Sequence, residues 1–149
     1  MLDAALAVHA LDLATPAIER LLREPDASGE ELLHVVVLDP RVLPPGPFDS
    51  AVLVERSFGR APPWGADYRS FARAKAQLAW RLQRDSRWVQ EQAPYLLDEG
   101  DTVLWGSSCR DGLIVAASGA QPWFDEACCE MVAAIIRALV QQRVRRAGV

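Results

Sequence analysis

A long amphipathic segment near the end of the chain limits the possible folds more than any other feature of the sequence. It begins at Asp125, which can cap a helix, and Glu126 suits the first turn. Its apolar residues recur at the helical period and form one wide face: Cys128, Met131, Val132, Ile135, Ile136, Leu139 and Val140. Such a face is buried against another layer of structure, so the chain is expected to form a layered domain.

Upstream segments have the patterns of β-strands. Leu32–Leu38 is a nearly continuous apolar run. Residues 51–58 alternate, with Val52, Val54 and Arg56 on one face and Leu53, Glu55 and Ser57 on the other. Residues 102–106 and 113–118 are predicted to form a strand pair, because Arg110-Asp111-Gly112 between them is a strong hairpin signal.

Two further helices are predicted. Thr15-Pro16 suits an N-cap and first helical position, which opens a helix to about Glu24, while residues 3–13 either extend that helix backwards or form a short strand. Asp67 is expected to cap a second helix that runs to about Arg84. Residues 40–49 hold four prolines and are not expected to be regular, and residues 88–92 suit a single helical turn. The element order predicts one α+β domain over residues 1–149, with an antiparallel sheet covered by helices.

The composition of the chain limits which kinds of partner it can bind and indicates in which cellular compartment it works. A net charge of −4 with no broad basic face argues against a nucleic-acid partner. No apolar run is long enough to span a bilayer, and the N-terminus lacks the basic region of a signal peptide, so no membrane partner is expected. The three cysteines, with Cys128 and Cys129 adjacent, do not form a disulfide framework, and we expect a cytoplasmic protein.

Lys75 is the single lysine beside fifteen arginines, and it lies on the apolar stripe of the Asp67-capped helix. Tyr68, Phe71 and Leu78 share its face at the 3.6-residue period. An unpaired charge facing the interior is costly, so the pattern indicates either a buried acidic partner or an anionic ligand. The alternative is that the four-carbon stem packs inside while the ammonium reaches water at the helix edge.

Two stretches resemble one known family. They are Phe71-Ala72-Arg73-Ala74-Lys75-Ala76 and Arg110-Asp111-Gly112-Leu113-Ile114-Val115-Ala116-Ala117-Ser118-Gly119, followed by a polar turn, an acidic pair and a long helix. These motifs are similar to those of the haem-binding/haem-degrading domain family (GlcG/HbpS-like). The resemblance implies a profilin-like fold with an antiparallel sheet of about five strands and helices on both faces. It also implies homodimers or larger closed assemblies that bind haem or another small molecule.

The first hypothesis is therefore a small-molecule-binding protein that acts as a homo-oligomer. Lys75 is expected to supply a positive pole, with Trp105 on a strand and Ser118 and Gly119 near the site. Haem is the leading cofactor hypothesis, and His34 is then a candidate axial ligand. The alternative for His34 is a half-buried imidazole with hydrogen-bond partners of its own.

Two other classes of function stay open at this point. Trp64, Trp105 and Trp123 suit a flat apolar pocket or, preferably, a protein interface, so the chain is alternatively an accessory protein that binds a partner chain. A third hypothesis is an enzyme that uses Lys75 as a base or Schiff-base nucleophile. The sequence shows no acid or base at a convincing spacing to accompany it.

Overall fold

The computed structural model describes residues 1–148, which form helices packed on both faces of one sheet. The elements in chain order are α1 (Ala4–Leu22), β1 (Leu32–Leu38), α2 (Phe48–Ala51), β2 (Val52–Gly59), α3 (Tyr68–Leu82), α4 (Ser86–Gln92), a 3₁₀ turn (Pro94–Leu96), β3 (Ser107–Arg110), β4 (Leu113–Ser118) and α5 (Pro122–Arg146). None of the described helices is long and apolar enough to cross a membrane.

The sheet is antiparallel throughout, with the strand order β2-β1-β4-β3. The predicted α+β class is confirmed, and the described residues contain four strands. On β1, His34 lies opposite Ser57 of β2 and Ser118 of β4. The three neighbouring strands thus place residues that are far apart in sequence side by side across the sheet.

The two faces of the sheet carry different helices. Leu33, Val35 and Val37 of β1 belong to a core shared with α1 and α5. Val36 and Leu38 belong to a second core, which α3 covers with a row of alanines. Because both faces of β1 are covered, every side chain of the strand is buried, which explains its nearly continuous apolar sequence.

The predicted strand at residues 102–106 is wrong. Asp111 and Gly112 both have positive φ, 51° and 85°, as a two-residue hairpin turn requires. That turn pairs Arg110 with Leu113, and the ladder runs back to Ser107. The residue before it, Gly106, has a φ of 145°, which a regular strand does not allow. Residues 102–106 lie beyond the ladder in a loop, and Trp105 is therefore a loop residue rather than a strand residue.

Three helix boundaries also differ from prediction. Thr15 does not cap α1, because the helix begins at Ala4, where the Asp3 side chain accepts from the Leu6 N–H. Pro16 lies inside the helix, and the alternative that residues 3–13 extend it backwards is confirmed. Burial of the α1 face against the sheet offsets the hydrogen bond that Pro16 removes. Residues 48–49 belong to the short helix α2. Helix α5 begins at Pro122, so Asp125 lies within its first turn and its side chain is available for another role.

Candidate functional site

Lys75 lies at the interface between α3 and the sheet. Ala72, Ala76 and Ala79 of α3 are fully buried, and such small side chains let the helix approach the strands closely. Lys75 shares this buried side and is only 2% exposed. The ammonium therefore does not reach bulk water at the helix edge.

The Lys75 ammonium has a protein acceptor for each of its three hydrogens. Nζ donates to the Ala117 carbonyl at 2.9 Å, to Ser118 Oγ at 3.2 Å and to Asp125 Oδ2 at 2.9 Å. This arrangement ties α3 to β4 and to the first turn of α5. Of the two expectations for an inward-facing lysine, the structure shows the buried acidic partner, and that partner is Asp125.

Asp125 is the functional-site residue that sequence reasoning missed. It is 1% exposed, and its second oxygen accepts from the Ala120 N–H at 3.0 Å. Burial raises the pKa of Asp125 to about 6, although the charge and hydrogen bond of Lys75 oppose this increase. The signal in the sequence was the lone lysine itself, which needed a carboxylate, but Asp125 was interpreted as a helix cap.

Gly106 leaves the space that Asp125 occupies. A Cβ added at Gly106 would lie 2.6 Å from the Asp125 Cβ, and the φ of this residue is 145°. Only glycine adopts this backbone conformation without strain and without that collision. The loop before β3 is thereby fitted against the ion pair.

A cleft of about 290 Å³ opens beside the Lys75–Asp125 pair, and we call it the Lys75 cleft. Its walls include the aromatic residues Tyr68, Phe71 and Trp105. Ser118 and Gly119 also line it. The structure thus brings four of the five predicted site residues, Lys75, Trp105, Ser118 and Gly119, around one concave surface.

Three larger hollows differ from this cleft in chemistry. They have volumes of about 470 Å³ beside Cys109, about 360 Å³ between α1 and α5, and about 320 Å³ beside Leu113 and Ile136. The residues that line them include no buried charged side chain. A buried ion pair in a concave surface is typical of functional sites, so the Lys75 cleft is the better candidate.

His34 lies on the α3 side of the sheet but does not line the cleft. Its Nδ1 lies 2.7 Å from Ser57 Oγ and its Nε2 lies 2.8 Å from Glu55 Oε1. Burial lowers the pKa of His34, so the ring is neutral and donates from Nε2 to Glu55. Both ring nitrogens therefore already have partners, as the hydrogen-bonded alternative predicted.

Glu55 is the acceptor that holds His34. Burial would raise its pKa, but hydrogen bonds from Arg69 and His34 and the charge of Arg73 outweigh burial and lower the pKa to about 2. The carboxylate is thus ionised at any ordinary pH. His34 belongs to this charged cluster at the β2 edge rather than to the cleft.

The cysteines of α5 behave as core residues. Cys128 and Cys129 are fully buried, and burial raises the pKa of Cys128 to about 12. Such thiols stay protonated and are poor nucleophiles. Within residues 1–148, no cluster of three or more His, Cys, Asp or Glu side chains could hold a metal ion.

Comparison with known proteins does not assign a family. No protein-family model matches the chain, and no curated protein matches it. The geometry of the Lys75 cleft therefore carries the functional argument.

Proposed function

We propose that this protein binds a small molecule in the Lys75 cleft and acts as a cytoplasmic homo-oligomer with a profilin-like fold, as its resemblance to the GlcG/HbpS-like family implies. The observation that carries the proposal is the Lys75–Asp125 ion pair buried at the floor of an aromatic-walled cleft. Buried charges are expensive to maintain, and proteins place them where they bind or react.

The cleft has the features of a small-ligand site. Tyr68, Phe71 and Trp105 offer apolar surface, while Lys75, Asp125 and Ser118 converge at its floor. A mostly apolar wall with a few converging polar groups is the usual composition of a ligand pocket. The apolar wall would supply affinity, and the polar floor would fix the orientation of the ligand.

The dimensions of the cleft favour a ligand smaller than haem. Its volume of about 290 Å³ is at the lower end of the range for small-molecule pockets. The described residues that line it include no histidine, cysteine or methionine. Haem, which the resemblance implies, therefore lacks a ready iron ligand here.

A thermal-shift screen tests the proposal. Wild-type protein is heated with one- and two-ring aromatic acids, amides and amines, and with haemin monitored also by its Soret band. At 100-fold excess over Kd, a ligand is expected to raise Tm by about 5 °C or more. Trp105→Ala should abolish the shift, whereas Trp88→Ala, which alters a tryptophan outside the cleft, should retain it. Equal shifts in both variants would contradict the assignment of the site.

The exposed rim of the cleft supports the second candidate, binding of a partner chain. Val103 is 75% exposed and Trp123 is 58% exposed, and both are next in sequence to residues that line the cleft. Large exposed apolar side chains close to a concave surface mark protein interfaces. A second copy of this chain is the partner that the homo-oligomer proposal requires.

The third candidate is a lysine-dependent enzyme. The structure provides an acidic residue beside the lysine, but the hydrogen bonds of Lys75 do not favour its use as a nucleophile. Asp125 is the carboxylate whose absence from the sequence pattern weakened that hypothesis. However, all three hydrogens of Lys75 already have protein acceptors. A Schiff-base nucleophile must turn its nitrogen toward a substrate carbonyl and give up these hydrogen bonds, so binding is the better supported function.

A further inference from the structure

Building on the proposed function, we infer that the ligand of the Lys75 cleft is a small planar carboxylic acid, bound as its carboxylate together with one proton that Asp125 takes from solvent. Three features of the site lead to this inference: the hydrogen-bonding state of Ser118, the charge at the floor and the shape of the walls.

Ser118 has a hydrogen to give. Its Oγ accepts from Lys75 Nζ, and the hydroxyl hydrogen has no acceptor among residues 1–148, although Ser118 is only 4% exposed. Ser118 lines the cleft, so an acceptor placed there would receive this hydrogen. The hydroxyl hydrogen can turn toward a ligand while Oγ goes on accepting from Lys75 Nζ. A carboxylate accepts such a hydrogen bond more strongly than a neutral carbonyl does.

The charge at the floor determines the proton count. Lys75 and Asp125 cancel as they stand, so an incoming carboxylate would put two buried anions beside one cation. An uncompensated buried charge is strongly unfavourable. If Asp125 takes up one proton on Oδ2, the site again holds one cation and one anion, and that proton can be donated to the ligand.

The surroundings of Asp125 allow this protonation. Lys75 and Tyr68 face it from α3, and Cys128 and Cys129 from its own helix. Gly106, in the loop before β3, lies against its Cβ, and Ala120 donates its N–H to Oδ1. Among residues 1–148, Lys75 is the cation whose charge and hydrogen bond lower the pKa of Asp125. Burial raises the pKa of Asp125 to about 6, so protonation near neutral pH is accessible.

The walls indicate the rest of the ligand. Tyr68 and Phe71 pack edge to face with ring centroids 6.1 Å apart, and Trp105 also lines the cleft. Aromatic surfaces of this kind pack well against a flat unsaturated body. The cleft volume of about 290 Å³ limits that body to one or two rings.

Benzoate and its neutral analogue benzamide test the inference on the full chain. Isothermal titration calorimetry is run from pH 5.5 to 8 in two buffers with different ionisation enthalpies, which reports proton uptake. Benzoate should bind with uptake approaching one proton at pH 8, and its affinity should fall about tenfold per pH unit above pH 7. Benzamide should bind more weakly, with no pH dependence and no proton uptake.

Two variants separate the roles of the floor residues. Asp125→Asn removes the competing charge, so benzoate should bind without proton uptake and at least about tenfold tighter than wild type at pH 8. Ser118→Ala should weaken benzoate binding at every pH while proton uptake persists, and circular dichroism melting checks that each variant folds. If Asp125→Asn does not fold, the inference is tested by the proton uptake of the wild-type protein and by the benzoate affinity of Ser118→Ala.

Each outcome has a defined meaning. Benzamide binding as tightly as benzoate, or benzoate binding without proton uptake at pH 8, overturns the inference and leaves the small-molecule proposal standing. Failure of benzoate, benzamide and the whole screening panel to bind would overturn both.

Discussion

Lys75 and Asp125 stabilise one another only while both are present. Each is almost completely buried, and the two side chains meet at 2.9 Å. Removal of one partner leaves the other as an uncompensated charge in the interior, which is far more costly than loss of a surface ion pair.

Lys75→Met is therefore expected to destabilise the protein by about 3–5 kcal/mol at pH 8. At pH 5 the effect should be smaller, because Asp125 is then protonated and leaves no buried charge. Urea unfolding at the two pH values measures both numbers. Arg20→Met, which breaks an exposed ion pair with Glu24, is the matched control and should cost less than about 1 kcal/mol.

The pH dependence of Asp125 has a definite sign. Its pKa in the folded protein, about 6, lies above the ordinary value of 3.8. A raised carboxyl pKa contributes stability that is complete below about pH 4 and is lost as the pH rises through about 6. Relative to Asp125→Asn, the wild-type protein should lose roughly 1–3 kcal/mol of unfolding free energy between pH 4 and 7. A flat difference across that range would show that Asp125 titrates normally.

At the scale of single elements, sequence patterns correctly predicted those helices, strands and turns that are determined by residues close together in the chain. The continuous apolar run of β1 and the helical period of α3 and α5 correctly indicated these elements, and Asp111-Gly112 correctly indicated the hairpin turn. The strand at residues 102–106 was wrong because the ladder of this hairpin stops at Ser107, and the turn signal on which the prediction rested does not specify where the strands lie. Residue type alone did not decide whether α1 starts at Pro16 or extends back through residues 3–13, because tertiary packing determines that this proline is tolerated inside the helix.

The candidate site was predictable only in part. A helical wheel identifies the face of Lys75, but it does not name a partner fifty positions away. The packing of α5 against the loop before β3 decides that Asp125 meets Lys75, and no local pattern contains this information. Ser118 and Gly119 were grouped with Lys75 because they lie in the motifs that carry the resemblance, and Trp105 was added because of its large aromatic ring. Their positions at the cleft agree with this grouping.

The fit of the loop before β3 against α5 can be tested at Gly106. Gly106→Ala places a Cβ against Asp125 and forces an unfavourable φ, so we expect a loss of about 2–4 kcal/mol. Gly100 also has a positive φ, 89°, but a Cβ added there would have no neighbour within 4 Å. Gly100→Ala should therefore lower the unfolding free energy by only about 1 kcal/mol. Denaturant midpoints of the two variants give the comparison. Equal losses would mean that the loop does not press on Asp125.

At the scale of the whole molecule, the exposed apolar rim beside the cleft is the surface on which the proposed self-association would depend. Trp123 is its largest exposed side chain, and buried tryptophans often dominate the binding energy of interfaces. An interface at this rim would also close the mouth of the Lys75 cleft, which links assembly to ligand binding.

Trp123→Glu is expected to weaken self-association by about 30-fold or more, which corresponds to a hot-spot loss of about 2 kcal/mol. Leu13→Glu, at a comparably exposed position on α1 and on the opposite side of the sheet, should leave assembly unchanged. Size-exclusion chromatography with light scattering across a dilution series measures the masses. Unchanged assembly in Trp123→Glu would place the interface elsewhere.

The state of the Lys75 ammonium tests the central claim most directly, because the chain has a single lysine. Protein labelled with ¹⁵N-lysine should give one side-chain ammonium signal, protected from fast solvent exchange by its three acceptors. We predict that this signal is sharp at pH 7, moves in Asp125→Asn and moves again when benzoate is added. A signal broadened by rapid exchange and unaffected by either change would contradict a buried cation that serves a ligand site.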